Sequence, residues 1–179
     1  MKKIFAAIFM IFTSISHGGA WLENGKLAAE TKSRKSLNGF SAMLVVTPGD
    51  DWEKEWKTSP ETVPKFKEAN KAKLGDKLTV LTIFANPAPD HEKHFNVVCS
   101  LKVTRPNGTV SVSQEDIPCL HGELNGPASY VWLSPAILKF TAEATDPLGV
   151  WKVDATIEDK NRNTKIELHT QYEYIGSGG

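Results

Sequence analysis

Five consecutive residues, Asp90-His91-Glu92-Lys93-His94, form the densest local group of side chains able to ligate a metal or move a proton. His91 and His94 stand three apart, a spacing that shares one face of a helix and suits an imidazole pair on zinc. The surrounding residues argue for a different setting. Asn86-Pro87-Ala88-Pro89 is a rigid loop, and an apolar strand begins at Phe95, so no helix is expected to bring the two rings together. Lys93 adds a positive charge beside them. The histidines are read as solvated loop residues, and no metal is expected. Asp50, Asp51, Glu53 and Glu55 form a second acidic group. A calcium site needs more oxygens at defined loop spacings. Acids at the start of a helical turn, beside the positive end of its dipole, explain this group without a ligand.

Nucleophilic chemistry finds no purchase in the remaining residues. The chain has no Gly-x-Ser-x-Gly elbow, no His-Glu-x-x-His pair, no phosphate-binding loop and no dinucleotide fingerprint. No catalytic residue and no cofactor are expected. Cys99 and Cys119 are the two cysteines. An even pair in an exported chain is expected to be bridged. Cys99 shares a strand face with Phe95, Val97, Leu101 and Val103, which points its sulfur inward, and no base or cation nearby would activate a thiolate.

Aromatic residues are the strongest candidates for a site. There are five tryptophans. Trp151 falls on a core face. Trp132 sits between Val131 and Leu133 near an edge and could face either way. Trp52 and Trp56 lie in a polar insert where no strand face demands them. Exposed, they would make a rigid amphipathic platform for a protein or a sugar; buried, they would seal one end of the domain. The residues expected to bind are Trp52, Trp56 and Phe66 of the insert, joined by Tyr130 and Trp132 at the edge.

The elements that must hold these side chains are extended. From Trp151, Val153, Ala155 and Ile157 alternate with Lys152, Asp154, Thr156 and Glu158. After a turn over Asp159 to Asn163, Ile166, Leu168, Thr170, Tyr172 and Tyr174 alternate with polar partners, His169 among them. A period of two with one wet face means antiparallel strands over a core. Phe40 to Thr47 is a further strand. Lys77 to Ala85 is apolar on both faces and should be central. Phe95 to Thr104 turns through Arg105-Pro106-Asn107-Gly108 into Thr109 to Ser113. Gln114 to Pro127 reads as loop, with Cys119 inside it. Tyr130 to Ser134 and Ala136 to Ala144 flank Pro135, which suits an edge or a strand changing sheets. Asp50 to Asn70 interrupts the β pattern. Asp50 and Glu53 have capping-box spacing, and Trp52 and Trp56 are one turn apart, so a short helix is expected before Pro60 and Pro64 end it. Seven or eight short strands with one helical insert predict an all-β, two-sheet antiparallel immunoglobulin-like sandwich with a short helical insert.

Residues 1–20 carry Lys2 and Lys3, an apolar run from Ile4 to Ile15 and the small residues Gly18-Gly19-Ala20, the layout of a cleaved secretory signal. A buried strand or an uncleaved anchor is the alternative. Residues 21–38 are expected to be a flexible leader or loosely packed arm, 39–175 the sandwich, and 176–179 a disordered tail. The 179-residue chain balances 21 basic against 21 acidic residues. Losing residues 1–20 leaves 19 basic residues and a net charge of −2, which argues against electrostatic binding of nucleic acid and offers no patch for anionic lipid.

Gly149-Val150-Trp151-Lys152-Val153, opening a strand after a proline turn, resembles the late strands of immunoglobulin-like modules of the macroglobulin and fibronectin III type. Arg105-Pro106-Asn107-Gly108-Thr109 is similar to a hairpin common in them. The likeness spans residues 74–175; the cysteines lack the flanking tryptophan pattern of antibody domains. It implies a binding or spacer module and brings no catalytic residue. The expectation is therefore a periplasmic or secreted, non-catalytic binding domain that recognises a protein partner in the cell envelope, as an accessory subunit, inhibitor or immunity-type protein. A carbohydrate-binding sandwich is the alternative, and an enzyme with a dispersed site around His91 and His94 a third.

Overall fold

A computed structural model of the protein describes residues 21–23, 26–49, 51–57 and 66–177. The expected signal segment, Asp50, Pro60, Pro64 and the last two glycines lie outside the described residues. The strands are β1 (Leu22–Glu23), β2 (Lys26–Leu27), β3 (Arg34–Leu37), β4 (Phe40–Pro48), β5 (Lys71–Ala72), β6 (Lys77–Ala85), β7 (Phe95–Thr104), β8 (Val110–Gly122), β9 (Val131–Leu133), β10 (Leu138–Thr141), β11 (Gly149–Asp159) and β12 (Thr164–Tyr174), with the helical turn α1 (Trp52–Trp56) after β4. β3 to β12 form an all-β sandwich of two five-stranded sheets, and β1 and β2 pair as a separate two-stranded sheet. The first runs β10-β6-β4-β3, with β9 also on β6, and the second runs β5-β12-β11-β7-β8. Pairing is antiparallel throughout, except for the short parallel contact of β5 with β12.

Alternation decides which face is buried. Trp151, Val153, Ala155 and Ile157 of β11 are buried, as are Ile166, Leu168, Tyr172 and Tyr174 of β12 and Phe95, Val97, Cys99, Leu101 and Val103 of β7. They meet Phe40, Ala42, Leu44 and Val46 of β4 and Leu78, Val80 and Phe84 of β6 across the sandwich. Cys99 and Cys119 are disulfide-bonded with Cα atoms 5.8 Å apart. The bridge closes a 20-residue separation, worth about 3 kcal/mol on the chain-entropy argument. The Ser134 hydroxyl donates to the Cys119 Sγ at 2.9 Å, so the second sheet touches the first beside the bridge.

Two expectations need correction. Residues 21–23 and 26–38 are tied down rather than a flexible leader. The Trp21 ring is buried and its Nε1 donates to the Ala42 carbonyl, while β3 pairs with β4 across Asn38-Gly39. Both turn residues have positive φ, 50° and 82°, the two-residue hairpin geometry that Asn-Gly favours. The sandwich thus begins before residue 39. Gln114 to Gly122 is strand rather than loop, and Cys119 lies within β8. β8 is the sheet's outer strand, where a proline such as Pro118 is tolerated, and three irregularities in its register with β7 break its alternation. The N-cap of α1 is Asp51, without a side-chain cap hydrogen bond; the expected capping box rests on Asp50, outside the described residues. At the other end, Gly176 of the expected disordered tail accepts a hydrogen bond from the Leu74 N–H.

Candidate functional site

The outer face of the first sheet is apolar. Val45 of β4 and Leu81, Ile83 and Ala85 of β6 form a second buried cluster, with Met43 packed against it. An apolar sheet face must be covered, and here the cover comes from Trp21, Trp52, Trp56 and Phe66. The described part of the insert is therefore a packed cap on the sandwich. Trp52 is only 8% exposed, and its indole N–H has no hydrogen-bond partner among the described residues. It is a packing residue. Phe66 is half-buried against the same cluster.

Trp56, four residues on, is half-buried, packs against the same cluster and also lines a cavity of about 490 Å³. Tyr130, Trp132, Val131, Leu133, Pro135 and Ile137 supply most of the rest of the wall, with Asn125 and Ser134 as its polar members. The structure thus brings together Trp56, Tyr130 and Trp132 of the five expected binding residues and packs Trp52 and Phe66 on the outer-face cluster, outside the described cavity wall. Among the described residues no wall side chain is charged.

Each wall element has a local reason for its place. β9 pairs with Ile83 to Ala85 of β6, opposing Trp132 to Phe84. Alternation sends Val131 and Leu133 toward the outer cluster and Trp132 toward the inner one. The Ser134 N–H continues the pairing to the Thr82 carbonyl, and Pro135 then ends β9. Before β9, the Asn86 N–H donates to the Ala128 carbonyl and the Tyr130 N–H to that of Pro127. Gly126 lies under the aromatic wall. A Cβ there would stand 3.3 Å from the Tyr130 ring and 3.7 Å from that of Trp132, at a φ of 156°. The Trp132 Nε1 is shielded and without a partner among the described residues.

The residues singled out for metal or acid–base chemistry lie elsewhere. Asp90 organises its own loop, its Oδ1 accepting the N–H groups of Glu92 and His94, both at 2.9 Å. The His94 N–H, chiefly, holds this exposed carboxyl below its usual range. His91 and His94 are exposed, and among the described residues no three His, Cys, Asp or Glu side chains are placed to hold a metal. His169 is on the wet face of β12, its Nδ1 2.7 Å from Asp154 Oδ1. Glu53 and Glu55 point to solvent from α1.

A buried polar hub escapes sequence reasoning. Asp159 is fully buried. Its Oδ2 accepts the Ala88 N–H at 2.7 Å and the Arg162 Nε at 3.3 Å. Arg162 in turn donates to the carbonyls of Asn38 and Asn86. Asp159 is simply the last residue of an alternating strand, and its burial follows from the loops that fold over it.

No protein-family model matches the chain, and no curated protein does. Among solved structures it is similar to a family 123 glycoside hydrolase from Clostridium perfringens, with 12% identity over 75% of this chain and 28% of that one, TM-score 0.38. A Niemann-Pick type C2 protein from the Japanese carpenter ant is similar at 10% identity over 73% of this chain and 88% of that one, TM-score 0.36. A Pseudomonas fluorescens alkylpurine DNA glycosylase matches at 10% identity over 59% and 27%, TM-score 0.37. The chain spans under a third of the hydrolase and the DNA glycosylase. Likeness this slight carries no functional argument.

Proposed function

We propose that the chain is an exported, immunoglobulin-like, non-catalytic binding domain that recognises a protein partner in the cell envelope, taking an apolar side chain of that partner into the Trp56–Tyr130–Trp132 cavity. The observation that carries this reading is the convergence of three aromatic residues from α1, a loop and β9 on one cavity of about 490 Å³ with no charged side chain among its described lining residues. Rigid aromatic walls shed water from a large area at little entropic cost, which is why they anchor interfaces. The same cavity borders β9, whose only strand partner among the described residues is β6. Its other edge offers backbone groups to which an extended segment of a partner could add. The disulfide suits an oxidising compartment, and no described helix is long and apolar enough to cross a membrane.

A sugar is the second reading, because indole rings also stack on pyranose faces. The wall favours protein. Its polar side chains are few, and the Ser134 hydroxyl is already given to Cys119 Sγ, whereas a sugar needs a hydrogen-bond partner for nearly every hydroxyl it buries. The test replaces Tyr130 in the full chain with a photo-crosslinking phenylalanine and irradiates cells. A discrete protein adduct that disappears on Trp132→Ala is expected. No protein adduct, together with quenching of tryptophan fluorescence by envelope polysaccharide, would replace this reading with the second.

A further inference from the structure

A smaller cavity opens at the opposite end of β6. Leu78 lines it, while Phe84 pairs with Trp132 beside the larger cavity. Six residues of strand, about 20 Å, separate the two. The smaller space measures about 120 Å³. Phe140, Trp151, Tyr172 and Tyr174 supply its aromatic wall, and Glu143 and Asp146 its acidic rim. From this geometry we infer a second binding site, for the head group of a small organic cation of the ammonium class.

Shape and chemistry agree on that ligand. Trp151 and Tyr172 are opposed across β11 and β12 and lie nearly parallel, 6.1 Å between ring centroids and 12° between planes. The aromatic wall is held in place by its polar ends: Trp151 Nε1 donates to the Pro147 carbonyl and the Tyr174 hydroxyl to the Glu143 carbonyl. The rim is fixed as well, with Asp146 Oδ2 accepting the Glu143 N–H at 2.9 Å. No basic side chain is among the described residues lining the cavity. Arg105 lies beside it, its guanidinium 5.7 Å from the Trp151 ring and donating to the Val110 carbonyl. Trp151 therefore already meets a cation on its surface. Aromatic faces with a nearby carboxylate attract desolvated cations by quadrupole and charge together. Burial, with a smaller push from the Asp146 charge, holds the Tyr172 phenol far above its usual range. A cavity of about 150 Å³ admits benzene, so this one sets the scale of a head group of a few heavy atoms.

The test titrates tetramethylammonium, butylammonium (the head of a lysine side chain) and neutral tert-butanol into the folded protein, following the Trp151 indole N–H resonance. Saturable shifts with an ammonium probe and none with tert-butanol are expected. Tetramethylammonium binding more tightly indicates a free methylated cation, and butylammonium a protein side chain. Asp146→Asn keeps the acceptor for the Glu143 N–H and should weaken binding about tenfold, while Asp154→Asn on the far sheet face leaves it unchanged. Glu143→Gln serves as the second variant if Asp146→Asn unfolds. Equal binding of tert-butanol, or no saturable shift with either ammonium ion, overturns the proposal. The crosslinking result at Tyr130 is independent of this outcome.

Discussion

Trp52 and Trp56 occupy one helical turn and two physical situations. Trp52 is sealed against Val45, Leu81 and Ile83, whereas Trp56 is half-buried and shares its exposed side with the cavity. Trp52→Ala leaves a large void under the cap and should cost about 3–5 kcal/mol of stability. Trp56→Ala should cost less than half of that and instead weaken partner binding. Urea unfolding of both variants checks this; equal losses would make Trp56 a packing residue too. Tyr172 makes a separate prediction. Its phenol is raised by burial and by Asp146, so the folded chain stays protonated where the unfolded tyrosine, with a pKa of about 10, ionises. The stability contributed by protonated Tyr172 is complete below about pH 10 and is lost as pH rises beyond it. The melting temperature of the native protein should fall more steeply above about pH 10 than that of Tyr172→Phe; parallel slopes would show that Tyr172 is no more shielded than an ordinary tyrosine.

Among the elements, β11 and β12 were legible because one buried face and one wet face give an unbroken period of two, and Lys77 to Ala85 because an apolar run without polar relief belongs in the middle of a sheet. β3 was not. Arg34, Lys35 and Ser36 are all half-buried edge residues, so hydrophobicity marks neither face, and only the Asn38-Gly39 pair announces the hairpin. β8 was missed over Gln114 to Gly122 because each bulge shifts the alternation and an edge strand has little apolar surface to declare itself. The larger cavity was half legible. Its aromatic residues stand out by type, but their meeting depends on the insert folding over an outer sheet face, which no local pattern encodes. The hairpin reading has a direct test. Gly39 sits at φ 82°, where a β-branched residue is strained, so Gly39→Val should cost about 1–3 kcal/mol. Asn38→Gly, at φ 50°, should be close to neutral. A Gly39→Val protein with an unchanged denaturant midpoint would mean that β3 is not held by this turn.

At the scale of the whole molecule, what separates this sandwich from a bare pair of sheets is how its ends are closed. The side formed by β3 and β12 is stitched by the His169 N–H donating to the Lys32 carbonyl and by Lys35 Nζ donating to the Glu167 carbonyl. The end where β11 turns into β12 is closed by Asp159 and Arg162. Their bonds reach Ala88 and Asn86 in the loop after β6 and Asn38 in the β3–β4 turn, so one ion pair ties both sheets. Asn161 adds bonds to the carbonyls of Ala88 and His94. A buried pair adds little net stability over an apolar equivalent, but removing one partner leaves the other charge uncompensated. Asp159 is wholly buried and the Arg162 side chain is 27% exposed. The two truncations are therefore unequal: Arg162→Ala strands a buried carboxylate, while Asp159→Ala leaves an arginine that can turn to water but also orphans the Ala88 N–H. Arg162→Ala should cost about 3–5 kcal/mol, lowering the melting temperature by about 10 °C, and Asp159→Ala somewhat less. The double variant should recover part of the loss, since it no longer buries a lone charge. Additive losses in that cycle would show that the two side chains act on the loops separately and that no single clamp closes this end.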